Sequence, residues 1–150
     1  MPRFVRTTDA LLEINPERTQ LQLQPHLSLI DLTFPVDEFL VQLKQADRLR
    51  DEASNAMASR RGQSSRRLKN KLKADKIFLA VHRHNDTVYY KRLEEGAFTV
   101  LSAFRPKSTV ADACQQLGAV EGDPAVLGAK IQEWFRSWAA LGWLCGFIEH

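Results

Sequence analysis

The chain has 150 residues, 44% of them apolar, with 21 Lys and Arg against 18 Asp and Glu for a net charge of +3. That length holds one domain, or one domain with a flexible arm. No apolar run approaches the ~20 residues that span a bilayer, and Met1-Pro2-Arg3 opens without the pattern of a secretory signal.

Cys114 and Cys145 fall in apolar segments, where buried thiols are the expected reading and a disulfide the lesser one. A cytoplasmic protein with no membrane partner is expected. The positive charge is concentrated: between Arg60 and Lys76 eight cations meet a single acid, Asp75, so that stretch carries +7 and the remaining residues −4.

Residues 1–20 show no sustained period and read as an N-terminal extension, with a turn or two of helix over Asp9–Ile14 stopped by Asn15-Pro16. Residues 21–45 read as a first strand and a short helix. Leu21-Gln22-Leu23-Gln24 alternates, and Leu27 to Phe34 marks a strand with one irregular step, closed by Pro35. Val36, Phe39, Leu40 and Leu43 then share one helical face, behind early acids that suit a helix start.

Residues 46–75 read as a flexible basic connector. Ser, Arg, Lys, Asn and Gln dominate there, and too little apolar surface is available to offset the chain entropy of folding. Its cations Arg60, Arg61, Arg66, Arg67, Lys69, Lys71 and Lys73 are candidates for a nucleic-acid contact, a membrane-surface patch or simply a solvated loop. Aromatic residues are absent between Phe39 and Phe78, which argues against a stacking platform for single strands.

Residues 76–150 carry the strongest patterns. Ile77–His84 and Thr87–Leu93 are rich in β-branched and aromatic residues, and Asn85-Asp86 between them suits a two-residue hairpin turn. From Glu94 onward the spacing is helical. A first helix, Glu94 to Phe104, carries Phe98, Leu101 and Phe104. A second follows Thr109, with Asp112 three places on in the manner of a capping box, and ends at Gly118.

A third helix begins at Asp123-Pro124 and bears Leu127, Ile131, Trp134, Phe135, Trp138 and Leu141 as one wide apolar stripe. Gly142 closes it, leaving Trp143-Leu144 to fold back over the core. The expectation is an α+β, winged-helix-like domain: a three-stranded antiparallel sheet, a three-helix bundle and a disordered basic insert.

The search for chemistry leaves no catalytic residue and no cofactor. His82 and His84 lie on one strand face, but zinc needs three or four ligands; His26 is the only other plausible imidazole, and neither cysteine stands in CxxC spacing. Phosphate loops, nucleophile elbows and zinc-protease helices are absent. The acid pairs Asp37-Glu38, Asp51-Glu52 and Glu94-Glu95 lie at or near helix starts, where the helix dipole accounts for them.

Sequence-specific DNA reading is also disfavoured. The start of the last helix, Glu121-Gly122-Asp123-Pro124-Ala125, is acidic and short of donors for base edges. Peptide binding fits better. A strand edge at Val88, Tyr89, Tyr90 and Lys91 would supply backbone hydrogen bonds, beside a groove wall of Ile131, Trp134, Phe135 and Trp138. For any one of these aromatics taken singly, a place in the core is the better reading.

The pattern resembles the winged-helix peptide-recognition domains of ribosomal-peptide modification systems, of the type seen in pyrroloquinoline quinone biosynthesis. Leu23-Gln24-Pro25-His26-Leu27-Ser28-Leu29 looks like their opening strand, and Trp134 to Leu144 like their final helix and apolar turn. Val81 to Leu93 is similar to the C-terminal domain of partner proteins encoded beside multinuclear iron oxygenases, as in methanobactin and bufferin pathways.

That resemblance covers roughly residues 20 to 146 and rests on apolar and aromatic patterning. It implies a non-catalytic protein that binds a precursor peptide's leader and pairs with an iron oxygenase subunit as a heterodimer. Such partners carry a helical N-terminal domain labelled DNA-binding. Its absence here leads to the expectation of a short family member or a C-terminal fragment.

Overall fold

The computed structural model describes residues 14–52, 73–104, 107–118 and 123–149. Among these the chain forms β1 (Thr19–Leu23), β2 (Ser28–Leu32), α1 (Val36–Glu52), β3 (Ile77–His84) and β4 (Thr87–Leu93). Then come α2 (Glu95–Ala103), α3 (Val110–Gln115), α4 (Pro124–Ala140) and β5 (Leu144–Glu149). The architecture is α+β with two sheets, one of β1 and β5 and one in the order β2-β3-β4. Residues 31–77 form one compact unit; residues 1–30 and 78–150 form the other.

In the larger unit the β1–β5 pair corrects the expected single sheet. Thr19 pairs with Glu149 and Leu21 with Phe147, antiparallel, with an irregular step at Gln22/Leu23. The fold-back expected of Trp143-Leu144 is therefore the entry to a strand. Alternation in β1 sends Thr19 and Leu21 into the core, fully and nearly fully buried. At β1's end, Gln24 N–H donates to Trp143 C=O at 2.9 Å, and the chain turns through Pro25 and His26 into β2.

β3 and β4 pair antiparallel from Phe78↔Leu93 to His84↔Thr87. Asn85 and Asp86 have φ of 47° and 59°, the left-handed pair that a tight hairpin requires and that Asn and Asp tolerate. Arg83 bridges to Asp86 at 2.8 Å across this turn.

The helix ends follow their local chemistry. Thr109 and Asp112 make a reciprocal capping box: Thr109 Oγ1 accepts from Asp112 N–H, and Asp112 Oδ2 accepts from Thr109 N–H at 2.9 Å. Asp123 Oδ1 caps α4 by accepting from Ala125 N–H at 3.0 Å, with Pro124 in the first turn. α4 ends in a Schellman pair, Trp143 N–H to Trp138 C=O at 2.9 Å and Gly142 N–H to Ala139 C=O at 3.0 Å. Gly142 has φ +69° there.

Trp138, Trp143, Leu101 and Val100 are the large side chains at the centre of the core. Phe104 stands edge-on to Phe135 at 5.8 Å and to Trp138 at 6.5 Å. Burial of each large apolar side chain contributes roughly 1.5–3 kcal/mol relative to exposure, so the aromatic rungs of α4 anchor this unit.

In the smaller unit, α1 continues through Glu52, past the expected connector boundary at residue 46. Gln45-Ala46 and Arg48 to Glu52 are mostly strong helix formers, so the helix outlasts its apolar stripe. Residues 53–72 of the expected connector lie outside the described residues. Asp75 N–H donates to Thr33 C=O at 3.0 Å, and Lys76 approaches Asp31 at 3.9 Å. That ion pair is exposed and worth little.

Candidate functional site

β4 is the terminal strand of its sheet among the described residues. Which of its backbone groups point outward follows from the hairpin. A two-residue turn makes its flanking pair, His84 and Thr87, the hydrogen-bonded one, and the pattern then alternates along the ladder. Thr87, Tyr89, Lys91 and Leu93 therefore direct N–H and C=O toward β3. Val88, Tyr90 and Arg92 direct theirs away from the sheet. The edge thus offers one donor and one acceptor at Val88 and again at Tyr90.

Side chains divide by the same parity. Tyr89 stacks on His82, ring centroids 5.6 Å apart, and Lys91 Nζ donates to Ser137 Oγ of α4 at 2.9 Å. Both therefore lie on the sheet face toward α4. Val88 and Tyr90 lie on the opposite face. Val88, Tyr89 and Tyr90 are 65%, 47% and 44% exposed, a run of apolar surface that an edge strand ordinarily avoids.

His82 lies beneath Tyr89, only 8% exposed, and meets Trp143 edge-on at 5.4 Å. Its Nδ1, like Trp143 Nε1 and Thr19 Oγ1, finds no hydrogen-bond partner among the described residues. His84, two residues on, is exposed at the strand end. The Cys114 thiol is pushed up from its ordinary pKa by burial. Both cysteines are free.

The expected groove wall divides in two. Ile131 and Trp134 are half-buried, and Trp134 stacks on Trp138 at 6.4 Å. Trp134 also lies over Gly96, where an added Cβ would come within 2.8 Å of its Cη2. Phe135 and Trp138, at 8% and 2% exposure, are core residues instead and leave almost no surface for a ligand. A helical stripe as wide as this one must put some rungs inside and some at its margin, and its spacing alone does not say which.

Ser137 was not evident beforehand. A small hydroxyl among aromatics gives no signal beyond standing three residues after Trp134, which puts it on the same helix face. Leu141, 37% exposed, continues that face. The Lys130–Glu94 bridge at 3.0 Å ties the start of α2 to α4.

Of the alternative cationic site, Lys73 is exposed. Arg60, Arg61, Arg66, Arg67, Lys69 and Lys71 lie outside the described residues. Among the described residues no three His, Cys, Asp or Glu side chains converge on a point that could hold a metal ion. No helix there is long and apolar enough to cross a membrane. Comparison with protein-family models, curated proteins and solved structures finds no significant match for this chain.

Proposed function

We propose that this protein is a non-catalytic peptide-capture module in a winged-helix-like frame. In this reading an extended segment of a precursor peptide adds as a further strand along β4. The bound segment is a leader, and the protein presents the rest of the precursor to a metal-dependent modifying oxygenase in the cytoplasm. The identity of leader and enzyme class rests on the resemblance of Val81–Leu93 and Trp134–Leu144 to partner proteins of that kind.

The observation that carries the reading is the outer edge of β4. The outward backbone groups of Val88 and Tyr90 stand beside the exposed Val88, Tyr89 and Tyr90 side chains. Backbone pairing supplies affinity in strand addition, and alternate side chains supply selectivity. Retrieval of the tagged protein from its native cells, with mass spectrometry of the retained molecules, tests the reading. Recovery of a small peptide that no longer binds a Tyr90→Pro variant, together with an iron enzyme, is the expected result. A folded protein that retains an enzyme and no peptide would instead be a structural subunit.

The +7 charge of residues 60–76 supports a second reading, a nucleic-acid contact. It requires DNA affinity that falls steeply with salt and disappears when residues 60–73 are deleted.

A further inference from the structure

If β4 takes an added strand, as proposed above, the chemistry around Lys91 and Tyr89 restricts what that strand contains. We infer that the bound segment carries a carboxylate side chain opposite Lys91 and, two residues away, an apolar side chain opposite Tyr89. Run antiparallel to β4, that segment reads acid-x-apolar from its N-terminus.

Lys91 carries the first half of the motif. Its ammonium has three donors, and its one hydrogen-bond partner among the described residues is the neutral Ser137 hydroxyl. That bond holds the charge on the α4 face of the sheet and leaves donors free. Lys130 is already held by Glu94 at 3.0 Å, and Arg83 by Asp86 at 2.8 Å. Glu133, one turn before Ser137 on α4, forms no ion pair with Lys91. An added strand brings a side chain within about 4.5–5.5 Å, Cβ to Cβ, of the residue it faces, so a carboxylate there reaches the free donors.

Tyr89 carries the second half. One face of its ring lies on His82, and the residue is still 47% exposed. Because side chains alternate, the residue two places from the acid shares its face and meets the exposed part of this ring. The residue between them lies on the other face, beside Tyr90.

A second copy of the chain serves less well as the occupant. Outward backbone groups on β4 occur at Val88, Tyr90 and Arg92, so a two-fold antiparallel pairing of two β4 strands sets these against one another and centres on one of them or on Tyr89 or Lys91 between them. Centred on Tyr90, it sets Lys91 against Tyr89 and Arg92 against Val88. Centred on Arg92, it sets Arg92 against Arg92. Centred on Val88, it carries Lys91 to Asn85 in the turn. Centred on Tyr89, it sets Lys91 against Thr87, and centred on Lys91, it sets Lys91 against Lys91. None of the five sets a carboxylate opposite Lys91.

The test uses a phage library of random linear dodecamers selected separately on the intact wild-type protein and on Lys91→Glu. Circular dichroism and urea unfolding confirm that the variant is folded. The wild-type pool is expected to converge on acid-x-apolar, and the Lys91→Glu pool to place a cation where the acid stood. A synthetic consensus peptide should bind Lys91→Gln roughly 2- to 5-fold more weakly, the factor an exposed ion pair supplies, with reduced salt dependence.

Wild-type peptides that align along β4 without an acid preference would overturn this inference and leave strand addition standing. Unchanged acid preference in the Lys91→Glu pool would do the same. Enriched peptides that bind as well after N-methylation of alternate backbone amides would overturn strand addition itself. An unenriched wild-type pool would overturn both.

Discussion

Proline scanning of β4 separates its inward from its outward backbone groups. Tyr89 N–H points to β3 in a hydrogen-bonded pair with His82, whereas Tyr90 N–H points off the sheet. Tyr89→Pro therefore deletes a ladder bond and strands the His82 carbonyl. The loss is about 0.5–1.5 kcal/mol for the bond, rising to roughly 1–3 kcal/mol where the abandoned acceptor is shielded from water.

Tyr90→Pro deletes a donor that makes no bond within the sheet, and proline is tolerated on an edge with its missing N–H outward. Each variant is compared with alanine at the same position, which removes the ring's contribution. Tyr89→Pro should then lie about 1–2 kcal/mol below Tyr90→Pro in urea unfolding followed by tryptophan fluorescence. Peptide affinity should show the reverse order. Equal destabilisation by the two prolines, or greater destabilisation by Tyr90→Pro, would refute the assigned phase of the hairpin and with it the outward edge.

Other perturbations test the frame that holds this strand. Gly142→Ala should cost about 1–2 kcal/mol in thermal or urea unfolding, because φ there is +69° while nothing lies within 4 Å of the added methyl; an unchanged stability would mean the Schellman turn does not depend on that φ. Gly96→Ala places a Cβ 2.8 Å from Trp134 Cη2 and 3.3 Å from Leu117 Cδ2. Overpacking of ~1–3 kcal/mol against a helix gain of ~0.5–1 kcal/mol gives a net loss of roughly 0–2.5 kcal/mol, and a stabilised variant would contradict that packing. Backbone and side-chain hydrogen bonds from Thr109 hold the Asp112 carboxyl below its ordinary pKa. Its contribution is present above the unfolded value of about 4 and is lost as pH falls through the folded one, so the stability gap between wild type and Asp112→Asn should narrow as pH falls below about 4. A gap independent of pH would remove the carboxylate from the cap. Burial pushes the Cys114 thiol up, so a thiolate-directed reagent at pH 8 should modify it more slowly than free cysteine; equal rates would contradict its burial.

Features fixed by neighbouring residues were legible in the sequence. Asn85-Asp86, Thr109 with Asp112, Asp123-Pro124 and Gly142 each satisfy a local backbone requirement, and each stands where that requirement arises. The β1–β5 pair was not legible. It joins residues more than 120 positions apart, and Leu144-Cys145-Gly146-Phe147-Ile148 has no alternation to mark it as a half-exposed strand.

The site was legible in part. Aromatic and β-branched composition pointed to β4, and its two-residue turn fixes the phase of its backbone. Sorting Trp134 from Phe135 and Trp138 required the packing of α4, because spacing places all three on one broad face. Ser137, which orients Lys91, left no trace beyond its register on that face.

The central claim is that β4 receives an added strand through the backbone of alternate residues. Residue-resolved amide hydrogen exchange of the intact protein, alone and with the peptide it retains from native cells, tests this most directly. Alone, the amides of Val88 and Tyr90 should exchange fast and those of Tyr89 and Lys91 slowly. With peptide bound, Val88 and Tyr90 should become protected together. Protection that arises elsewhere while these two amides still exchange fast would contradict strand addition at β4.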